Sequence, residues 1–176
     1  MTTALFYILG LIMLSATLLC ITRRNPVHAV IYMVLALFAL ALEFYLLGAP
    51  LVAAWEVIVY AGAIMVLFLF IIMMLGLAPQ ETPEGPGWRR WLPLALLSAS
   101  LIACTLLLIM QDPAAGKPIG EFYLMPQQLG EALFGRYALA VELASFQLLF
   151  ASIGAYMLGR PLSEKGPKDG LKEDKE

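Results

Sequence analysis

Polar and charged positions in this chain fall in short clusters, and the stretches between them are almost wholly apolar. Five such stretches are long enough to cross a bilayer core of about 30 Å, which takes about 20 helical residues. Backbone groups in lipid must be satisfied within their own segment, so each stretch is expected to be a helix. The pattern predicts helix 1 over Thr2–Ile21 and helix 2 over Val27–Leu47, after the break at Arg23-Arg24-Asn25-Pro26. Helix 3 lies within Leu51–Leu77, after Gly48-Ala49-Pro50, helix 4 over Trp91–Met110 and helix 5 over Tyr137–Leu158. Pro26 and Pro50 suit first-turn positions, where a missing N–H costs nothing.

The connections differ in character. Residues 78–90 hold Pro79, Pro83, Pro86 and several glycines, which suits a mobile loop. Residues 111–136 form the longest connection, with Pro113, Pro118 and Pro126 limiting regular structure. The tail 160–176 mixes Lys, Glu, Asp, Gly and Pro with almost no apolar residues and is expected to be disordered. The transmembrane domain is therefore residues 1–159.

Composition agrees with this reading. Of the 176 residues, 61% are apolar and 14% charged, against roughly 25% charged in an ordinary soluble domain. The first 22 residues carry no charge, and they lack the basic start and small-residue cleavage site of a secretory signal, so they read as a retained helix. Lysine and arginine placement sets the orientation. Arg23, Arg24, Arg89, Arg90, Arg160, Lys165, Lys168, Lys172 and Lys175 collect on one side, and only Lys117 and Arg136 on the other. The expected protein is thus an all-α membrane protein of five transmembrane helices, N-terminus outside and C-terminus cytoplasmic.

Cofactor chemistry is sparse. Cys20 and Cys104 sit in apolar runs and form no C-x-x-C pair, so neither an iron–sulfur site nor a thiol redox motif is supported. His28 is the one histidine, which excludes a haem held by two histidines of this chain. No glycine-rich phosphate loop follows a strand pattern. No metal site, catalytic residue or cofactor-binding residue is expected.

Three acids fall within the apolar stretches: Glu43, Glu56 and Glu142. Each costs at least about 2.5–3.5 kcal/mol on insertion scales. At about 1.5 Å of rise per residue, Glu56 lies about 8 Å, Glu142 about 9 Å and Glu43 about 6 Å below the outer end of its helix. Two readings stand for such groups: they reach the headgroup layer or bond a neighbour, or they face a polar interior and exchange protons. Glu56 and Tyr60 are four apart and share a side of helix 3. Glu142, Ser145, Ser152 and Tyr156 make a polar stripe on helix 5. Glu43 shares its face with Tyr32, Ala36 and Ala39 only. Between Ala61 and Leu75 no side chain is polar, so a static helix there offers protons no route. Gly62 is the expected weak point of that helix, or else Ala61-Gly62-Ala63 admits a close neighbour. Ala95, Ala99 and Ala103, and Ala151, Ala155 and Gly159, suit helix packing in the same way.

Two segments carry a family resemblance. Asn25-Pro-Val-His-Ala-Val, and Trp55-Glu-Val-Ile-Val-Tyr-Ala-Gly-Ala-Ile-Met-Val-Leu-Phe-Leu-Phe-Ile-Ile-Met-Met-Leu75, resemble the subunit J family of bacterial NADH-quinone oxidoreductase (respiratory complex I), counterparts of mitochondrial subunit 6. Tyr137-Ala-Leu-Ala-Val-Glu-Leu-Ala-Ser145 fits as well. The resemblance covers residues 20–78 and 136–160 best, and helix 4, the long loop and the tail least. It implies a non-catalytic subunit of a respiratory-chain translocase in the bacterial inner (plasma) membrane. NADH, FMN, iron–sulfur clusters and quinone would all sit on partner subunits. The implied partners are the quinone-site subunit, small neighbouring subunits, antiporter-like subunits and lipid; no nucleic-acid partner is expected. It further implies a π-bulge in helix 3 near Tyr60 and Gly62, whose conversion to regular α-helix opens or closes a proton path with Glu56 and Glu142 along it. Glu43 matches no assigned position and stays a possible member of that path. The alternatives are a structural scaffold in the same or a related antiporter- or hydrogenase-type complex, and an independent channel, against which the absence of an internal repeat argues.

Overall fold

The computed structural model describes residues 2–23, 25–76, 88–110 and 123–160, with side chains from residue 3 and from residue 91 in the first and third stretches. Among these residues every regular element is helical. Five helices are long and apolar enough to cross a membrane: Thr3–Thr22, Pro26–Leu46, Pro50–Met74, Trp91–Met110 and Ala138–Gly159. The elements are α1 (Thr2–Thr22), α2 (Pro26–Leu46), a third span made of α3 (Pro50–Trp55), π1 (Glu56–Ile64) and α4 (Met65–Met74), then α5 (Trp88–Met110), α6 (Pro126–Glu131), π2 (Ala132–Arg136) and α7 (Ala138–Gly159). They divide into two compact units, Met1–Gln128 and Leu129–Glu176.

In the first unit, α2 is the hub. It packs along α1 and also against the third span and α5. Its start is set by Asn25, whose side chain accepts from the Val27 N–H, with Pro26 at the first helical position. Its end is a Schellman turn. The Gly48 N–H reaches the Tyr45 carbonyl and the Ala49 N–H the Phe44 carbonyl. Gly48 takes φ 83°, a left-handed conformation that a side chain would strain. Pro50 then opens the third span. The chain before α6 is tied to this corner, since the Leu124 N–H donates to the Gly48 carbonyl at 2.8 Å and the Tyr123 hydroxyl to the Tyr45 hydroxyl at 3.0 Å.

The core lies between α1, α2 and α5. Leu5, Leu9, Ile12 and Ala16 of α1 meet Tyr32, Ala36, Ala39 and Leu46 of α2 and Leu97, Cys104 and Leu108 of α5. The α2 positions recur at spacings of four and three, which is one face of a helix. Small residues at Ala16, Ala36 and Ala39 bring the backbones close, as suits helices that associate in lipid by van der Waals packing.

The structure adds detail to the sequence reading at four points. Trp88–Arg90 are helical, so α5 begins three residues before the predicted start and holds Pro93 inside it. The end of the long connection is helical too: Pro126 starts α6 instead of breaking structure, because it sits in a first turn where its missing N–H is harmless. Ala95, Ala99 and Ala103 are exposed, and the opposite face of α5, with Leu97, Cys104 and Leu108, packs within the chain. Ala151, Ala155 and Gly159 are exposed in the second unit. Residues 77–87 and 161–176, where a mobile loop and a disordered tail are expected, lie outside the described residues.

The second unit contains the end of α6, π2 and α7. π2 closes with the Tyr137 N–H on the Ala132 carbonyl, a five-residue step, at 2.9 Å. No residue of α7 is buried. Ser145 donates to the Glu142 carbonyl, and the Arg160 guanidinium lies 5.8 Å from the centre of the Tyr156 ring.

Candidate functional site

The third span is where local structure departs from a regular helix. Nine residues, Glu56–Ile64, are wound as a π-helix, closed by the Met65 N–H on the Tyr60 carbonyl. That step is five residues where an α-helix takes four, and longer-than-bulge π stretches are uncommon because their hydrogen bonds compete with α winding. Each residue added to a turn displaces the side chains beyond it by about 100° around the axis. The π stretch therefore decides which face α4 presents to its neighbours.

Gly62 sits inside this winding. A Cβ placed on it would stand 3.1 Å from the Val57 carbonyl oxygen, tighter than ordinary van der Waals contact. Val57 is five residues back, the π hydrogen-bonding distance in sequence, so the contact exists because of the winding. The absence of a side chain at 62 thus relieves the π form in particular. Ala61 on one side is buried and Ala63 on the other exposed, so the small triplet does not present one packed surface.

Glu56 opens the π stretch and is 8% exposed, the one buried acid of the third span. Tyr60, four residues on, is 50% exposed. The expected Glu56–Tyr60 face is therefore split between interior and surface. Beyond Ala61 the span is apolar and outward-facing within this chain; Ile72 alone is buried in α4. An apolar groove of about 650 Å³ adjoins the N-terminal part of the span, lined by Phe38, Tyr45, Ala53, Val57, Thr105 and Leu108 among others.

Glu43 has the stronger packing of the acids, against expectation. It is also 8% exposed and lies on the stripe Tyr32, Ala36, Ala39, Glu43 at the centre of the first unit. A Cβ added to Gly10 of α1 would stand 3.2 Å from Glu43 Oε1, so the carboxylate occupies the space that glycine leaves. Gly10 is a position the sequence reading missed; its signal is a lone glycine among bulky residues of the first span. Glu43 and Glu56 are carried by elements that pack together, since α2 contacts π1. Glu142 belongs to the second unit and is exposed there. Its companions Ser152 and Tyr156 are exposed as well, so the polar stripe of α7 lies on a free face of that unit.

Among the described residues no group of three or more His, Cys, Asp or Glu could hold a metal ion. Cys20 and Cys104 are free thiols.

Comparison with known proteins decides the family. The profile described as NADH-ubiquinone/plastoquinone oxidoreductase chain 6 matches residues 16–158. The chain belongs to that family. Relatives bear it out. The chain is 42% identical over 158 residues to NADH-quinone oxidoreductase subunit J of Pseudomonas aeruginosa, covering 88% of this chain and 95% of the relative. It is 43% identical over 161 residues to the subunit J of Escherichia coli, covering 88% and 85%. The subunit J of Rhodobacter capsulatus is 35% identical over 164 residues, covering 87% and 79%. The family match takes in α2, the whole third span, α5 and almost all of α7. The π stretch thus lies well inside the shared region, and the resemblance drawn from Asn25–Val30 and Trp55–Leu75 is confirmed.

Proposed function

We propose that this chain is subunit J of a proton-translocating NADH-quinone oxidoreductase of the bacterial inner membrane, and that rewinding of its third span between π and α forms couples quinone reduction to proton movement. Its N-terminus faces outward and its C-terminus the cytoplasm. Electron transfer takes place on partner subunits; this chain supplies no redox group and no active site of its own.

The observation that carries this reading is the nine-residue π stretch with a buried acid at its first position and fifteen residues without a polar side chain from Ala61 to Leu75. As wound, that inner half gives a proton no partner. Removing one residue from the π turn rotates everything beyond it by about 100°, which changes the surface that α4 turns toward its neighbours. A water path can then form or break against partner helices, with Glu56 at its outer end. Tyr60, half-exposed and the acceptor of the closing hydrogen bond through its carbonyl, moves with the turn. Glu142, exposed on α7, supplies a second protonatable group toward partners, and Glu43 sets the local field from its fixed place beside Gly10.

The decisive experiment replaces Gly62 by Val or Leu in the assembled enzyme and measures NADH:quinone reductase activity with proton pumping. A side chain there presses on the Val57 carbonyl in the π form. Unchanged pumping and reductase activity would end the gating idea. Assembly is tested apart: co-purification in mild detergent with an iron–sulfur-rich peripheral arm is the expected outcome.

One observation favours a scaffold reading. α7 buries nothing in its own unit, so its apolar surface awaits neighbours. Glu56→Gln with Glu142→Gln separates the two. Normal assembly with lost pumping supports coupling; lost assembly supports the scaffold.

A further inference from the structure

A second cluster of chemistry lies at the other end of α2 and plays no part in the proposed coupling. Arg23 follows the last residue of α1, and α2 begins at Pro26. The Arg23 guanidinium carbon lies 5.3 Å from the centre of the Tyr32 ring, and Nη2 donates to the Tyr32 hydroxyl at 3.3 Å. His28 stands four residues before Tyr32, so the two share a face of α2. The His28 ring in turn lies 5.3 Å from the ring of Trp91 on α5. Side chains from the ends of three membrane spans therefore form two pairs, Arg23 with Tyr32 and His28 with Trp91, on one face of α2.

Two polar atoms in this spot are buried and have no hydrogen-bond partner among the described residues: Arg23 Nε and His28 Nδ1. Buried polar atoms without partners are rare, and each points to a group that completes it. The guanidinium carries a permanent charge and five donors. Among the described residues it meets a neutral phenol at the long end of hydrogen-bond distance and the face of that ring. Its missing partner is an acceptor with negative charge, for which a planar guanidinium is best matched by the oxygens of a carboxylate or a phosphate.

The setting selects phosphate on a lipid. Thr22, Pro26 and Trp91 mark the ends of three apolar spans, so the cluster stands at headgroup level, where tryptophan is itself enriched. Trp91 is exposed on the outer side of the cluster, and Leu18 and Ile21 of α1 and Leu92 and Leu96 of α5 expose apolar surface from the same end inward. A phosphodiester at Arg23 would have its acyl chains laid along those residues. Basic pockets between transmembrane helices hold anionic headgroups by this combination.

We propose that Arg23, His28 and Trp91 form a binding site for the phosphate of an anionic phospholipid. The partly exposed Arg23 guanidinium is the main donor, His28 turns its ring N–H toward the phosphate as it binds, and Trp91 is the wall against which the glycerol packs.

The test uses the assembled enzyme in bilayers containing phosphatidylglycerol with a photoreactive group in its headgroup, compared with phosphatidylcholine carrying the same group. Adducts on the peptides bearing Arg23, His28 and Trp91 are counted by mass spectrometry. Labelling by the anionic lipid is expected to exceed that by the zwitterionic lipid about fivefold, and Arg23→Gln to remove the excess. Arg23→Lys, which keeps the charge, is expected to keep part of it. Equal labelling by the two lipids overturns the proposal, as does an excess that Arg23→Gln leaves intact. Binding of inorganic phosphate that Arg23→Gln abolishes, measured in phosphatidylcholine bilayers and found without any labelling excess for phosphatidylglycerol, overturns the lipid assignment in favour of a free-anion site. The wild-type comparison needs no variant, so it decides the matter even where Arg23→Gln fails to assemble.

Discussion

Two buried acids of this chain are equally hidden and differently held. Glu43 lies in the middle of a regular helix, on a stripe with Tyr32, Ala36 and Ala39, and its carboxylate fills the gap over Gly10. Glu56 begins the one stretch of the third span whose hydrogen bonds skip five residues. Around Glu43 the packing permits one arrangement: a turn of α2 would drive Tyr32 and the acid out of the core together. Around Glu56 the backbone is π-wound, and π and α winding draw on the same donors and acceptors. Burial alone thus says little about whether an acid takes part in a conformational cycle. What separates these two is the winding of the helix that bears them.

The sharpest way to break this comparison is to stiffen the soft side. Gly62→Leu in the assembled enzyme is expected to lower coupled NADH:quinone reductase activity about tenfold or more, equivalent to about 1.4 kcal/mol or more on the barrier. Infrared or cross-linking measurements of the third span should show the π stretch depopulated in the same variant. Should activity persist with the stretch rewound, the soft side has no role.

Neutralising the two acids comes next. Glu56→Gln is expected to cut proton pumping several-fold, on the order of one general acid–base group or below it, with assembly retained. Glu43→Gln should leave pumping within about twofold, since its frame does not move. Pumping lost in the Glu43 variant alone would reverse the assignment of roles.

Overfilling the rigid side should affect stability rather than turnover. Gly10→Leu pushes against Glu43 and is expected to destabilise the α1–α2 pair by about 1–3 kcal/mol, read as a lower melting temperature in detergent. Combining Gly10→Ala with Glu43→Ala should recover part of the loss of the single changes, a coupling of at least about 0.5 kcal/mol. Strict additivity would show that the two residues do not share that space. The smallest effect is expected at Tyr32→Phe, about 0.5–1.5 kcal/mol for the lost Arg23 bond, measured in the same way.

Much of this architecture was legible in the residues. The five apolar stretches, the Asn25-Pro26 start of α2 and the Gly48-Ala49-Pro50 corner are local features, and local chemistry determines them. Gly62 stood out in the residues as a glycine inside an apolar helix, and the structure winds it within the π stretch. Which acids are buried within the chain was not legible. Glu43 shared its face only with Tyr32, Ala36 and Ala39 and gave the weaker signal, while Glu56 beside Tyr60 and Glu142 on a polar stripe gave the stronger ones. The structure buries Glu43 and Glu56 alike and exposes Glu142 in its unit. The alanine stripe of α5 went the same way: Ala95, Ala99 and Ala103 face outward, and Leu97, Cys104 and Leu108 make the contact.

From the residues alone came the class of the protein, its spans, their capping and the family to which it belongs, because hydropathy, proline and glycine act over a few residues at a time and lipid leaves the backbone no alternative to helix. Tertiary structure alone decided which face of each helix is inside, that a glycine on α1 makes room for an acid on α2, and that an arginine at one span's end lies over a tyrosine on the next. Those pairings depend on how helices approach one another, and an apolar helix in a membrane carries few marks of that on its own sequence, since lipid-facing and partner-facing surfaces are equally greasy.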